Sequence, residues 1–450
     1  MPEITSSNLA DSKNKKSFYI IGIIATTCFA VFWIYNLKIF SFIGLAFLLI
    51  SLFMFDISSN LQMYFFMLPN ISMLVMEKDG FAVSSLFIIF LFIKLLFKRN
   101  FKIEINFLFI IMLYFLSSII TYSLQQDQFN YLLADIRILL NSITLIAVTS
   151  MVENKDDYFF KISDMYINGM LFCGFYAIWY SIAKKQLHSG FRLENINSDP
   201  NYFSLCIAFA ISVILIRIYT KSINESAILK LLALFILGFM TLSRGFLVAV
   251  SLNVIFLIYL FFFSNKITTA KKILITVVLA IFTVAFWNYI YNIFLSFQER
   301  FTDVEYSGGS GRIEIWSMYF NNSFVSIKNL FFGIGGTKLI WHRFGTQAVQ
   351  HNLYLELFTG RGLIGCVIIP LFYYNIYKIN RVLVGNKKIY FITVLPLLSL
   401  GLGFLFLSGL TSDISIITIY LGMYAMNVLS KNIKQNEKQE RIKKQSVYIK

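Results

Sequence analysis

Cysteine is rare in this 450-residue sequence: there are four, Cys28, Cys173, Cys206 and Cys366, each inside an apolar run. Their spacing suits no metal site and argues against a disulfide framework. A P-loop is missing, as are a His-Glu-x-x-His helix and an Asp-x-Asp pair of the kind that holds a divalent metal on a nucleotide sugar. The amino terminus carries Glu3 and Asp11 and has no small-residue cleavage site, so the first apolar run reads as a retained span. Charge is sparse as well, at 14% of residues, and prolines number 5. Long polar interruptions between apolar runs reduce to one, from Tyr291 to Gly365.

What fills the remainder is apolar. Hydrophobic residues make up 58% of the chain and aromatic ones 18%, with 49 Phe and 25 Tyr. A soluble protein could not cover that much apolar surface with polar groups. Runs of about 20 residues, each able to cross about 30 Å of hydrocarbon, recur from end to end. The fold class is therefore all-α: a polytopic helical integral membrane protein. Spans are expected at 18–35, 39–55, 61–77, 81–97, 105–124, 131–151, 163–183, 201–219, 228–243, 245–263, 273–290, 352–377, 389–409 and 413–430. This gives about fourteen transmembrane helices, with one large external loop at 291–351 and both termini in the cytoplasm. The organisation is a cytoplasmic amino terminus at 1–17, a transmembrane domain at 18–430 and a basic tail at 431–450. The span at 61–77 contains Pro69 and Asn70; it is retained because omitting it would move Lys98, Arg99 and Lys102 outside, against the positive-inside bias.

The formal charge of +16 does not signal nucleic acid. Its lysines and arginines fall in short clusters between apolar runs, such as Lys13, Lys15 and Lys16, or Lys266, Lys271 and Lys272. The expected partner is membrane lipid, with the basic tail beside anionic headgroups. Three polar pieces face outward in this topology: Lys184 to Asn201, the turn Ser243-Arg244-Gly245, and the long loop. Each carries arginine on the side where arginine is normally scarce.

Four outward residues make a candidate constellation: Arg192, Arg244, Arg312 and His351. Arginine presents a planar, permanently charged fork that grips phosphate oxygens two at a time, and three arginines on one face suit a diphosphate better than a carboxylate. In the long loop, Ile313, Trp316, Phe320 and Phe324 share one face of a helix expected to lie on the membrane surface. Gly308 to Gly311 precede it, so Arg312 adds its charge to the N–H groups of a helix start. Composition is equally served by a flexible loop whose Arg312 touches lipid headgroups. A histidine at the start of a span can take a hydroxyl proton near neutral pH, or can be purely structural; both readings stand for His351. Asp199-Pro200-Asn201 reads as a turn and helix start that would fix Arg192 just ahead of it. Asp135 and Arg137 lie within a span but do not share a helix face.

These residues carry a resemblance. Thr241-Leu242-Ser243-Arg244-Gly245 stands between two spans, and Ser310-Gly311-Arg312-Ile313-Glu314-Ile315-Trp316 lies in the large external loop. Phe332-Gly333-Ile334-Gly335, His351-Asn352-Leu353-Tyr354-Leu355-Glu356 and Gly362-Leu363-Ile364-Gly365 follow in that order. Over roughly residues 190–370 the chain resembles the O-antigen ligase and O-antigen polymerase superfamily of bacterial envelope glycosyltransferases. The resemblance implies a GT-C-like fold and metal-independent, cofactor-free transfer of a glycan from undecaprenyl diphosphate at the outer face of the cytoplasmic membrane. It implies that Arg244 and Arg312, with Arg192, bind the donor diphosphate, and that His351 activates the acceptor hydroxyl. Direct attack by that hydroxyl inverts the anomeric centre. The polymerase branch is favoured, joining lipid-linked repeat units into O-antigen or capsular polysaccharide, with a chain-length regulator protein as a possible partner. A ligase delivering polymer to lipid A core, and a lipid-linked oligosaccharide flippase, are the alternatives. A flippase should line its spans with charge, whereas arginine here gathers outside them.

Overall fold

The computed structural model describes residues 6–75, 83–97, 105–125, 158–186, 192–220, 225–263, 312–335 and 351–383, most of 395–405, and isolated helical positions between 139 and 298. Its regular elements are helices: α1 Ser6–Tyr35, α2 Lys38–Met54, α3 Ile57–Met67, α4 Val83–Leu96, α5 Ile105–Gln125 and α6 Tyr158–Ala183. They continue with α7 Pro200–Thr220, α8 Glu225–Met240, α9 Arg244–Phe263, α10 Arg312–Ser323, α11 Ile327–Phe332 and α12 Leu353–Leu383. Among the described residues, Ser17–Tyr35, Pro200–Tyr219 and Arg244–Phe263 are long and apolar enough to cross a membrane. Shorter apolar helical stretches are Lys38–Met54, Leu86–Leu96 and Met112–Leu124. The expected stretches 98–102, 307–311 and 413–450 lie outside the described residues, as do almost all of 131–151, including Asp135 and Arg137.

The chain divides into two compact units, Met1–Glu104 with Leu140–Cys206, and Ile105–Leu139 with Ile207–Lys450. In the first, α1 and α2 form a hairpin whose link places Asn36 in the left-handed region (φ 57°), where asparagine is among the better-tolerated residues. A Cβ at Gly44 would sit 2.9 Å from the Phe29 ring, so the missing side chain is what lets α2 approach α1.

α3 departs from the continuous span expected at 61–77. It starts at Ile57, with Asp56 accepting from Ser59 N–H at 3.0 Å, and ends in a 3-10 turn at Leu68–Asn70. Pro69 is the cause: it has no N–H to give, and its ring clashes with a continuing helix. Backbone N–H groups take the Leu68 and Asn70 carbonyls, while side chains serve the Pro69 carbonyl and that of Met73 just beyond the turn. The Pro69 oxygen accepts from Cys173 Sγ (3.1 Å) and Asn195 Nδ2 (3.0 Å), and the Met73 oxygen from Trp33 Nε1 (2.9 Å). Leu61 and Met63 to Leu68 are buried on all sides, so this element is enclosed by protein.

In the second unit a buried polar knot ties α7, α9 and the helical stretch near 399 together. Ser212 Oγ donates to Asn253 Oδ1 (2.8 Å), while Asn253 Nδ2 donates to the Ala208 carbonyl (3.1 Å) and to Ser399 Oγ (3.2 Å). Ser399 Oγ donates in turn to the Ala249 carbonyl at 2.5 Å. Between apolar helices such hydrogen bonds supply the specificity that hydrophobic burial cannot.

Asn253→Ala should therefore lower the thermal unfolding midpoint in detergent, with a loss of ~1–3 kcal/mol from the stranded partners. Ser251→Ala, on the exposed side of α9, should leave the midpoint unchanged; equal shifts for both would refute the role given to the knot.

Candidate functional site

In the first unit, α7 begins at Pro200 as its Asp-Pro-Asn signal predicts. Asp199 Oδ1 accepts from Asn201 N–H at 2.7 Å, and Asn201 Oδ1 accepts from an Arg192 guanidinium nitrogen at 3.3 Å. Arg192 is half-buried and tied to the helix start. Beside it, burial raises the Glu194 carboxyl above its ordinary range; Asp199 adds to that rise and Arg192 opposes it.

The other three candidates belong to the second unit, and each sits at the amino end of a helix. Arg244 is the first residue of α9. The link before it spends both hydroxyls on helix ends: Thr241 Oγ1 donates to the Gly238 carbonyl (2.7 Å), and Ser243 Oγ accepts from Phe246 N–H (3.3 Å). Leu242 takes a left-handed conformation (φ 47°) to make this turn. Arg312 opens α10. A positive charge is disfavoured beside the positive end of a helix dipole, so neither arginine is placed there for helix stability.

His351 precedes α12 in a strained left-handed conformation (φ 49°), of the kind that clusters at functional sites. Its neighbours hold it. Asn352 caps the helix, accepting from Leu355 N–H at 3.0 Å, and donates through Nδ2 to the Leu405 carbonyl at 3.2 Å. Leu353 N–H and Tyr354 Oη donate to the Phe404 and Gly401 carbonyls, at 3.0 and 2.9 Å. The motif's asparagine and tyrosine are thus the anchors of its histidine.

α10 and α12 pack through a core of Tyr319, Ile334 and Leu355, flanked by Ile315, Trp316 and Phe358. Tyr319 lies about 10 Å along α10 from Arg312, and Leu355 about 6 Å beyond His351, so both candidate residues ride on elements that touch. The expected surface face of α10 is corrected in one member. Ile313, Phe320 and Phe324 stay exposed, the last two with their rings beside Phe358 (5.5 and 5.9 Å), while Trp316 is partly buried against the Tyr319 core.

The remaining motifs meet at a break in α12. Gly362 adopts φ 64°, ψ −161°, inside what was expected as one continuous span at 352–377. An unbroken helix would give the Thr359 and Gly360 carbonyls to the N–H groups of Leu363 and Ile364. Here they accept instead from Ile334 N–H (2.7 Å) and Gly335 N–H (3.1 Å). Gly333, at φ 77°, lies against the backbone of Gly360 and Arg361, and Gly362 against the backbone of Phe331 and Gly333, too close for a Cβ on either.

Sequence reasoning missed Arg361, although a charge between two glycines inside an apolar run was there to be read. It is 6% exposed. Its guanidinium donates to Tyr114 Oη at 2.8 Å and lies 4.4 Å from the Tyr114 ring centre and 5.8 Å from that of Tyr122. Thr121 Oγ1 donates to the Phe332 carbonyl at 2.6 Å, and Lys328 Nζ to the Leu124 carbonyl in the last turn of α5, where a cation suits the helix dipole. Three side chains thereby strap α5 to the junction of α11 and α12. Among the described residues no three His, Cys, Asp or Glu side chains converge as a metal site.

Gly333→Ala and Gly362→Ala should each destabilise the protein by more than ~2 kcal/mol, through overpacking and forced positive φ. Arg361→Lys should fall between these and the parent, since an ammonium cannot stack and donate together. Melting curves that leave Gly362→Ala at the parent value would contradict the interlock.

No protein-family model matches the chain, and no curated protein matches it significantly.

Proposed function

We propose that the chain is a membrane glycosyltransferase that polymerises undecaprenyl-diphosphate-linked oligosaccharide repeat units at the outer face of the bacterial cytoplasmic membrane. In this reading the chain has about fourteen transmembrane helices in a GT-C-like arrangement, with both termini cytoplasmic and the large loop external. The observation that carries it is the interlock of distant motifs. The helix opened by Arg312, the Gly333-Ile334-Gly335 segment and the helix that follows His351 pack on one another within a single unit.

The arginines grip the donor diphosphate and stabilise the charge that grows on it as it leaves. His351 accepts the proton of the acceptor hydroxyl while that oxygen attacks the anomeric carbon. The bond from that carbon to the diphosphate oxygen breaks on the opposite face, which inverts the configuration. No metal or other cofactor takes part in this scheme. The Ser-Gly-Arg-x-x-x-Trp and His-Asn-x-Tyr-Leu forms favour polymerase over ligase.

His351→Ala should reduce transfer by ~10²–10⁴-fold while donor binding persists through the arginines. Arg244→Lys and Arg312→Lys keep charge but lose the fork, and should impair polymer formation severely with protein still in the membrane. In cells with a lipid A core, a blocked polymerase leaves surface lipid carrying one repeat and no longer ladder. A blocked ligase leaves long chains on undecaprenyl diphosphate, and a blocked flippase leaves repeat units on the cytoplasmic face. Where no lipid A core exists, capsular polymer should vanish while lipid-linked repeats accumulate. Wild-type glycolipid in all three variants would overturn the proposal.

A further inference from the structure

We infer that Ser72 and Asn195 are positioning residues for Arg192, forming a latch that docks its loop on the Pro69 turn; the inference rests on the reading of Arg192 as a donor-diphosphate ligand. Connections between helices normally run over the surface, because their backbone polar groups need water. The described end of the connection between α6 and α7 goes partly inside: Leu193, Asn195 and Ile196 are buried, while Asn197 and Asp199 are exposed. What makes this possible is the break after α3. Ser72 Oγ donates to the Ile196 carbonyl at 2.8 Å, and Asn195 Nδ2 donates both to the Pro69 carbonyl (3.0 Å) and to Ser72 Oγ (3.0 Å). An uninterrupted helix would have used the Pro69 carbonyl itself.

Past the latch, the Asn195 carbonyl accepts from Ser198 N–H at 3.0 Å, and Asn197 takes φ 58°, turning the chain into α7. Arg192 is therefore held from two directions. The backbone that follows it is pinned to the Pro69 turn, and its guanidinium is hydrogen-bonded to Asn201 at the start of α7. A cation so fixed meets an anion without first ordering its loop, which raises affinity by reducing the ordering cost of binding. The latch residues act through Arg192 and touch no reacting atom. Their loss should weaken donor binding and leave the chemical step alone.

The test uses the full-length protein with an undecaprenyl-diphosphate-linked repeat unit as donor. Ser72→Ala and Asn195→Ala should each raise donor KM roughly tenfold with kcat within about twofold of the parent. Ser72→Thr, which keeps the hydroxyl, should behave as the parent. Adding Asn195→Ala to Arg192→Ala should change nothing further, because both act on one interaction. Should Asn195→Ala fail to fold, Ser72→Ala, the smaller change, carries the comparison. A parent-like KM in a folded Ser72→Ala variant, or a fall in kcat alone, would overturn the inference.

A second arm needs no turnover. A nitroxide at Arg192→Cys in a Cys366→Ser background should be immobile, and should become mobile when Ser72→Ala is added; an unchanged spectrum overturns the latch. If the parent itself neither binds nor turns over the donor, the glycosyltransferase reading fails, and the spectrum still decides whether the latch holds the loop.

Discussion

A broken helix in an apolar interior leaves carbonyls that must find donors, and the second unit depends on how one such break is satisfied. At Gly362 the carbonyls of Thr359 and Gly360 turn to the N–H groups of Ile334 and Gly335. In lipid an unsatisfied backbone group costs several kcal/mol, so irregular backbone persists only where protein meets it. Meeting it requires two chain segments to approach backbone to backbone, and Gly333 and Gly362 are the residues that allow this. The same approach brings the end of α11 to α12, and α12 carries His351 at its head. Arg361, Thr121 and Lys328 then fasten the junction to α5.

The first unit meets the same constraint at Pro69 with other means. There the Pro69 carbonyl is served by the side chains of Cys173 and Asn195, and the Met73 carbonyl just beyond it by that of Trp33. One of those donors belongs to the connection that bears Arg192. In the first unit the segment that bears Arg192 is thus fixed by hydrogen bonds to an interrupted helix, and in the second His351 stands at the head of one. That arrangement suits a site that must hold a charge rigidly at the edge of an apolar body, because rigid placement is what makes a preorganised cation effective.

Much of this was legible in the residues. Apolar runs located α2, α5, α6, α7 and α9 to within a few positions, because a continuous apolar stretch of that length has few other solutions. Asp199-Pro200-Asn201 marks a helix start and Ser243-Arg244-Gly245 a turn between spans, by local chemistry that a short window contains. The breaks were harder. Pro69 is visible, yet the placement of Lys98, Arg99 and Lys102 favours a continuous span over it, and nothing local in Gly360-Arg361-Gly362 states that the helix stops. Pairings across long separations, such as Asn253 with Ser399 or Arg361 with Tyr114, left no periodic trace at all. On α10 two apolar faces share one helix, and only packing chooses Tyr319 for the inside.

In the proposed scheme, cations on the protein drive transfer from a lipid diphosphate without a metal. The most direct measurement of this is a reaction of purified protein in detergent with the undecaprenyl-diphosphate-linked repeat unit and excess chelator, followed by mass spectrometry of both lipid and glycan. Glycans of two or more repeats on lipid are expected, with undecaprenyl diphosphate released in step with each new linkage. Unextended donor in chelator that elongates only when divalent metal is restored, or donor that never elongates but crosses the bilayer in proteoliposomes, would contradict the scheme.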